Sequence, residues 1–351
     1  MASVVTYKCP NCDGELVFDP AAQRFACHYC GSFFAEEDLK KQDESSAETA
    51  EPQAEEKHEA AEGEAAVFVC PSCGAEIVTD STTAATTCFY CHNPVVLSGR
   101  LDGAFRPDKV VPFRISREEA VQEFLSWVKK KRFVPRDFFS EAQLEKLTGV
   151  YYPYWILDCT VDAAVEASAQ KVRVWRTGNT EYTQTSFYRL VREGKIRYRD
   201  LLKNALSKAN RELAEGIQPF DSRAVQDFTM AYLSGFQAEK RDIDKDAVFK
   251  EAQYDINEYT QALLRGTMAG YTAVQLHNTS IKPEREDAQY LLLPVWTLTY
   301  QRKGQTYYYV MNGQNGKVCG RLPVSWKRLA VLFSSVAAGL FLLLGLGGYL
   351  L

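Results

Sequence analysis

Eight of the ten cysteines form one pattern written twice: Cys9, Cys12, Cys27 and Cys30, then Cys70, Cys73, Cys88 and Cys91. In both copies fourteen residues separate the inner cysteines, and the second copy follows the first by 61 residues at all four positions. Two Cys-x-x-Cys pairs at this spacing can converge from two tight knuckles onto one tetrahedral ion, with metal–sulfur bonds of about 2.3 Å. Four thiolates suit a borderline-soft d10 ion, so the expected cofactors are two Zn2+. Lys8-Cys9-Pro10-Asn11-Cys12-Asp13-Gly14 and Val69-Cys70-Pro71-Ser72-Cys73-Gly74 place Pro inside the knuckle and Gly just after it, where a chain turns without steric cost. Modules this small cannot bury a core, so the metal supplies much of their folding free energy. His28 and His92 neighbour ligand cysteines, but each set already has four sulfurs, and both histidines read as surface side chains.

Disulfides are the rival chemistry, and they require an oxidising compartment. The other end of the chain argues against one. Leu329 to Leu351 carries no charge and no proline over 23 residues. A helix of that length is about 34 Å long against a hydrocarbon core of about 30 Å, which predicts a membrane span. Arg321, Lys327 and Arg328 precede it and nothing charged except the terminal carboxylate follows, so the positive-inside rule predicts a single-pass, tail-anchored protein of the cell membrane with residues 1–328 in the cytoplasm. Ser335 and Gly339 form a small-xxx-small pair through which the helix could build a homo-oligomer.

The elements that must carry the cysteines give a multidomain reading. Residues 1–39 are the first small four-cysteine zinc ribbon, 40–66 a linker, 67–99 the second ribbon, 100–323 an α+β domain with mostly antiparallel strands, and 324–351 the juxtamembrane segment and transmembrane helix. The linker holds nine Asp or Glu and few apolar groups except Ala, a composition that predicts disorder. In the central domain Ser116-Arg-Glu-Glu119 is a capping box opening a helix toward Lys131, with Val121, Phe124, Leu125 and Val128 at core spacing. Ser140-Glu-Ala-Gln143 reads as a second, shorter helix start. Strands are expected over 150–165, 172–176, 182–191, 272–276, 290–300, 306–311 and 317–322, and helices over 200–214 and 244–264. Asn312-Gly313 and Asn315-Gly316 signal turns. Tyr152-Pro153-Tyr154-Trp155-Ile156-Leu157 matches Leu293-Pro294-Val295-Trp296-Thr297-Leu298, a Pro-x-Trp-x-Leu strand occurring twice, which suggests an internal duplication.

The motifs of phosphate-binding loops, nucleophile elbows, zinc proteases and dinucleotide folds are absent from the chain. His277 is the single histidine outside the ribbons and linker. No catalytic residues are assigned and the expectation is a protein that is not an enzyme, with a membrane-side enzyme using carboxylates alone as an alternative. A nucleic-acid-binding protein of replication or transcription is the other alternative, because zinc ribbons are common there. Charge opposes it: residues 1–39 hold two basic side chains against six acidic ones, and residues 67–99 hold no Lys or Arg. Two Zn2+ with eight thiolates move the formal charge from −4 to about −8. The ribbons therefore read as protein-binding modules and nucleic acid as a disfavoured partner.

The cysteine knuckles, Val-Tyr-Tyr-Pro-Tyr-Trp (150–155), Tyr232-Leu-Ser-Gly-Phe236, Leu293-Pro-Val-Trp296 and Tyr309-Val-Met-Asn-Gly-Gln-Asn-Gly-Lys317 together resemble a bacterial family of TFIIB-type zinc-ribbon proteins, sometimes misnamed after the primosomal helicase PriA. The resemblance implies a membrane-anchored adaptor or scaffold that binds protein partners in membrane-stress response. PspA-like and SPFH (flotillin-like) proteins are the partners it implies. The helicase label fails on this chain, which has no P-loop.

Overall fold

A computed structural model describes residues 4–39, 66–88, 90–131, 133–135, 144–302 and 304–350, with side chains to 342 in the last stretch. The acidic linker over 40–66, apart from Ala66, and the helix start at 140–143 lie outside the described residues. In chain order the first strands are β1 (Val4–Val5), β2 (Leu16–Asp19), β3 (Arg24–Cys27), β4 (Phe33–Phe34), β5 (Ala66–Val69), β6 (Glu76–Thr79), β7 (Thr83–Thr87) and β8 (Pro94–Leu97). The central domain adds β9 (Lys109–Val110), helix α1 (Arg117–Lys129), β10 (Thr148–Thr177), β11 (Thr180–Asn204), helix α2 (Arg211–Gly216), β12 (Gln226–Asp227) and β13 (Gln237–Glu239). It closes with helix α3 (Lys245–Gly266), β14 (Ala273–Arg302), β15 (Gln305–Asn312), β16 (Val318–Gly320) and helix α4 (Trp326–Leu350).

Among the described residues eleven strands share one sheet, whose main path runs β1-β8-β7-β13-β10-β14-β15-β16. Pairing is antiparallel except where β13 meets β10 and β9 meets β14. The large, mostly-strand central domain is thus present, and a duplication organises it. Tyr152 pairs with Leu293, its own counterpart in the sequence repeat, so a pseudo-two-fold axis passes between them. Val150–Tyr151 receive β13 in parallel, and Leu291–Leu292 receive β9 in the same way. Tyr154 pairs with Asn204 and Val295 with Asn312. Ala205 N–H donates to the Pro153 carbonyl as Gly313 N–H does to that of Pro294.

The two tryptophans of the repeat do the same work. Trp155 Nε1 donates to the carbonyl of Ile243 at 3.0 Å, and Trp296 Nε1 to that of Ile115 at 3.1 Å. Each acceptor lies immediately before the N-cap of a helix, Asp244 for α3 and Ser116 for α1. Ser116 and Glu119 make the capping box read from the sequence. Phe113 then fills the centre of the core: it stacks on Phe236 at 4.2 Å and meets Tyr151 and Trp296 edge-on. Gly149 and Gly313 leave room for these rings, since a Cβ at either would fall within 2.7 Å of Phe236 or Phe113.

Several expectations change. The segments over 150–165 and 172–176 fuse into β10, and those over 272–276 and 290–300 fuse into β14. Pro283 is accommodated where the β10–β14 register shifts between Thr160 and Val161, a bulge being a place where a strand tolerates proline. The helix expected over 200–214 shrinks to α2, because Leu201–Asn204 pair with Tyr154–Leu157 instead.

The membrane span is corrected. Among the described residues no helix is long and apolar enough to cross a membrane. The single-pass location and the tail anchor fall with it. The base of α4 is fastened to the domain by the Arg328 guanidinium on the Val134 carbonyl, 2.8 Å away.

Candidate metal centres

All four knuckles have one backbone geometry. In each, the carbonyl of the first cysteine accepts from the residue four positions on: Asp13 to Cys9, Gly31 to Cys27, Gly74 to Cys70 and His92 to Cys88, at 2.8–2.9 Å. The N–H of the same cysteine donates to the residue five positions on, Gly14, Ser32, Ala75 and Asn93 respectively. Closing this turn puts the fourth-on residue in the left-handed region, at φ of 60, 71, 75 and 60°. Gly31 and Gly74 meet that demand freely. In the first knuckle Asp13 takes the position, not Gly14, and Gly14 answers a different need: a Cβ there would come within 2.6 Å of the Tyr29 ring.

The knuckles bring Cys9, Cys12, Cys27 and Cys30 together, and likewise Cys70, Cys73, Cys88 and Cys91, each set with all sulfurs within 4.8 Å of one another. The close pairs are Cys12–Cys27 at 3.4 Å, Cys9–Cys30 at 3.6 Å, Cys70–Cys91 at 3.7 Å and Cys73–Cys88 at 3.8 Å. These are far beyond a sulfur–sulfur bond of about 2.05 Å. They lie at or just below the edge of about 3.8 Å expected for a tetrahedron with metal–sulfur bonds of about 2.3 Å. With the compartment argument withdrawn, this geometry decides between disulfide and metal. Two tetracysteine groups are positioned to bind two metal ions, and four sulfurs at this spacing suit zinc.

Electrostatics agree. The Ser32 hydroxyl and N–H hold the Cys30 thiol down to about 6. Against the Gly14 N–H, which favours thiolate, the crowding sulfurs of Cys27, Cys30 and Cys9 push Cys12 up to about 12. In the second set, the Cys91 and Tyr90 N–H groups bring Cys88 down to about 7. Cys91, despite the Asn93 N–H, is pushed up to about 12 by lost hydration and by Cys73 and Cys88. Four sulfurs this close cannot all ionise without a cation between them, and a divalent ion removes that repulsion. Bound zinc would cross-link the two knuckles of each set. His28 and His92 stand exposed, outside both sulfur clusters.

Neither cluster hangs free. The first occupies the β2-β3-β4 sheet, which docks on the turn over 230–236: Phe18 N–H donates to the Ser234 carbonyl, and the Phe18 and Phe25 rings pack on Tyr232 at 5.2 and 5.8 Å. Tyr232 in turn donates to Glu36 at 2.8 Å. The second cluster sits between the β5–β6 hairpin and the β7–β8 hairpin, and β7 pairs with β13 inside the central sheet. Beside that joint Lys208 bridges Asp80 and Glu239 at 2.8 and 2.9 Å. Partial burial alone would raise Asp80, but hydrogen bonds from Lys208, Thr83 and Thr82 hold its carboxyl far below the usual range. The clusters also touch each other, through β1 pairing β8 and through Ser72 donating to Glu15 at 3.1 Å.

His277 sits on an exposed strand face with Nε2 2.8 Å from Ser168 Oγ, while Glu166 on the same face is engaged by Arg189. A cleft of about 330 Å3 opens near the pseudo-two-fold axis, lined by Tyr152, Tyr154, Lys208, Asn210, Thr297 and Tyr308 among others. Burial pushes the Tyr152 phenol up to about 12, so it stays neutral at physiological pH. Sequence reasoning missed this cleft because its lining comes from both repeats.

No family model matches the chain, and no solved structure matches it. The uncharacterized protein YdjG of Bacillus subtilis (strain 168) is 33% identical over 343 residues, an alignment covering 98% of this chain and 97% of that protein. The alignment runs over nearly the whole of both chains, and the chain belongs to the YdjG family.

Proposed function

We propose that the protein is a metal-stabilised adaptor that binds protein partners through its second ribbon. One observation carries this reading: Val67, Val69 and Val78 stand 56–59% exposed on the outer face of β5–β6. Their strand neighbours Phe68, Cys70 and Ile77 are buried on the inner face. Val67 and Val78 are directly paired, so the three side chains form one apolar stripe, with Glu76 opposite Val69 at its edge. No Lys or Arg lies between residues 67 and 99, so the stripe fits a partner presenting apolar side chains with cations around them. The metal fixes the hairpin that displays it. Resemblance to the zinc-ribbon adaptor family supports the reading and supplies PspA-like and flotillin-like proteins as the partners to try first.

The test is crosslinking and affinity capture with the intact chain, comparing wild type, Val67→Ser/Val78→Ser and Cys70→Ser/Cys73→Ser. A defined protein partner should be lost from both variants, while the valine variant keeps both metal ions. Retention of the same partner by the valine variant would sink the proposal.

A further inference from the structure

We propose that the distal end of the β10–β11 hairpin is a binding surface for single-stranded nucleic acid. It goes beyond the ribbon-mediated protein binding above and uses a different part of the molecule.

The internal repeat isolates this segment. In the second copy β14 and β15 start from the pair Val295–Asn312 and end at Arg302–Gln305. In the first copy β10 and β11 start from the equivalent pair Tyr154–Asn204 and run on to Thr177–Thr180. The sheet closes without such an extension in one repeat, so the long arm is not required by the fold. Helix α3 and the turn after it back the arm only as far as Leu264 and Met268, which pack on Ala167, Ala169 and Leu190. β14 joins it from Ala273, opposite Gln170. Among the described residues two strands stand alone beyond that point, an arrangement that is marginal in water without something laid against it.

The side chains on the bare face form a platform for bases and phosphates. Alternation from buried Ala169 places Lys171, Arg173 and Trp175 on this face of β10, and the register adds Tyr182 and Tyr188 from β11. Trp175 and Tyr182 stack at 5.6 Å with their planes 15° apart, and both remain nearly half exposed at 42% and 46%. The Arg173 guanidinium lies 5.9 Å from the Trp175 ring centre. Among the described residues no carboxylate shares the face from Ala169 outward; Glu181 sits opposite Arg176 on the other one. Open aromatic faces beside cations are what sequence-tolerant binding of unpaired strands requires, because every base has a π-face and every nucleotide a phosphate. Bases already stacked in a duplex cannot use the rings.

Charge selects the same ligand over a second copy of this chain. From Lys171 to Ser186, the stretch that stands beyond β14, there are three Lys or Arg against one Glu, a net +2 in a chain whose total is −4, leaving the remainder at −6. Two such arms repel each other, whereas a polyanion is drawn to the arm and turned away from the acidic body.

Fluorescence anisotropy with the zinc-loaded full chain tests this, using fluorescein-labelled dT20, U20 and a 20-base-pair duplex between 50 and 200 mM salt. The single strands should bind more tightly than the duplex, and affinity should fall with salt. Lys171→Glu/Arg173→Glu should weaken single-strand binding at least tenfold and lower the log–log salt slope by about 1.4, two phosphate contacts at about 0.7 each. Arg176→Glu, on the opposite face, should change affinity less than twofold, which separates a binding effect from a general effect on the arm. The proposal is overturned by absence of single-strand binding at 50 mM salt, by equal or tighter binding of the duplex, or by equal losses in the two variants. It is also overturned if polyglutamate or anionic vesicles bind the arm while the oligonucleotides do not.

Discussion

Ser234 donates its hydroxyl proton to the carbonyl of Leu16, a residue 218 positions earlier in the chain, and so fastens the first metal cluster to the central domain. The next residue completes the joint. Gly235 sits at φ +90°, and a Cβ there would fall 2.2 Å from Val17 Cγ1.

Gly235→Ala should therefore detach the first ribbon without emptying it. Strained backbone and the clash together cost roughly 2–4 kcal/mol, measurable by urea unfolding. Native mass spectrometry should still count two metal ions, since no ligand is touched. Loss of one ion would show that docking, not the cysteines, holds the metal.

Chelation should reach further than the cysteines. β7 pairs with Ala238 and Glu239 in β13, and β13 pairs with Val150 and Tyr151. Removing zinc from the second cluster should then raise amide exchange through residues 237–239 as well as 66–97. Exchange confined to 66–97 would mean that the hairpin and the sheet open independently.

Trp155→Phe and Trp296→Phe should have matching effects. Each removes the donor to a half-buried carbonyl just ahead of a helix, and leaving it unsatisfied costs at most about 1–3 kcal/mol. Equilibrium unfolding of the two variants measures it. A cost for one and none for the other would break the equivalence of the repeats at this point.

Stability should decline in alkali. Burial raises the phenols of Tyr151, Tyr154 and Tyr290, and that of Tyr152 to about 12. A raised folded-state pKa contributes stability that is complete below the ordinary tyrosine value near 10 and is lost as pH rises through the folded value. Phenolate absorbance should lag a free-tyrosine titration above about pH 10 and then appear together with unfolding. Full ionisation near pH 10 with the fold intact would contradict the burial.

The metal ligands were legible because a ligand set depends on residue type and spacing, both written in the chain. The capping box at Ser116 and the Pro-x-Trp-x-Leu repeat were legible for the same reason, being local patterns. The attachment of the ribbons was not. It depends on Gly235 leaving room for Val17 and on Ala84 and Ala85 lying buried in β7, contacts that no periodicity announces. The length of β10 was also hidden. Ala163, Ala167 and Ala169 lower its strand propensity, yet their small side chains let α3 pack against the sheet. The cations of the arm were hidden too, because Lys171 and Arg173 alternate with Val172 and Val174 and share a face only once the strand forms.

The exchange of short strands across the pseudo-two-fold axis has a consequence for the ancestry of the fold. β9 leads into α1 and β10, yet it pairs with β14; β13 leads into α3 and β14, yet it pairs with β10. A single repeat thus carries a strand whose partner belongs to the other repeat, and cannot complete its own sheet. Two separate copies would complete one another reciprocally, which is the geometry of a strand-swapped homodimer. In this chain the two halves are joined in one polypeptide, so each short strand finds its partner within the same molecule while one half carries a longer hairpin than the other.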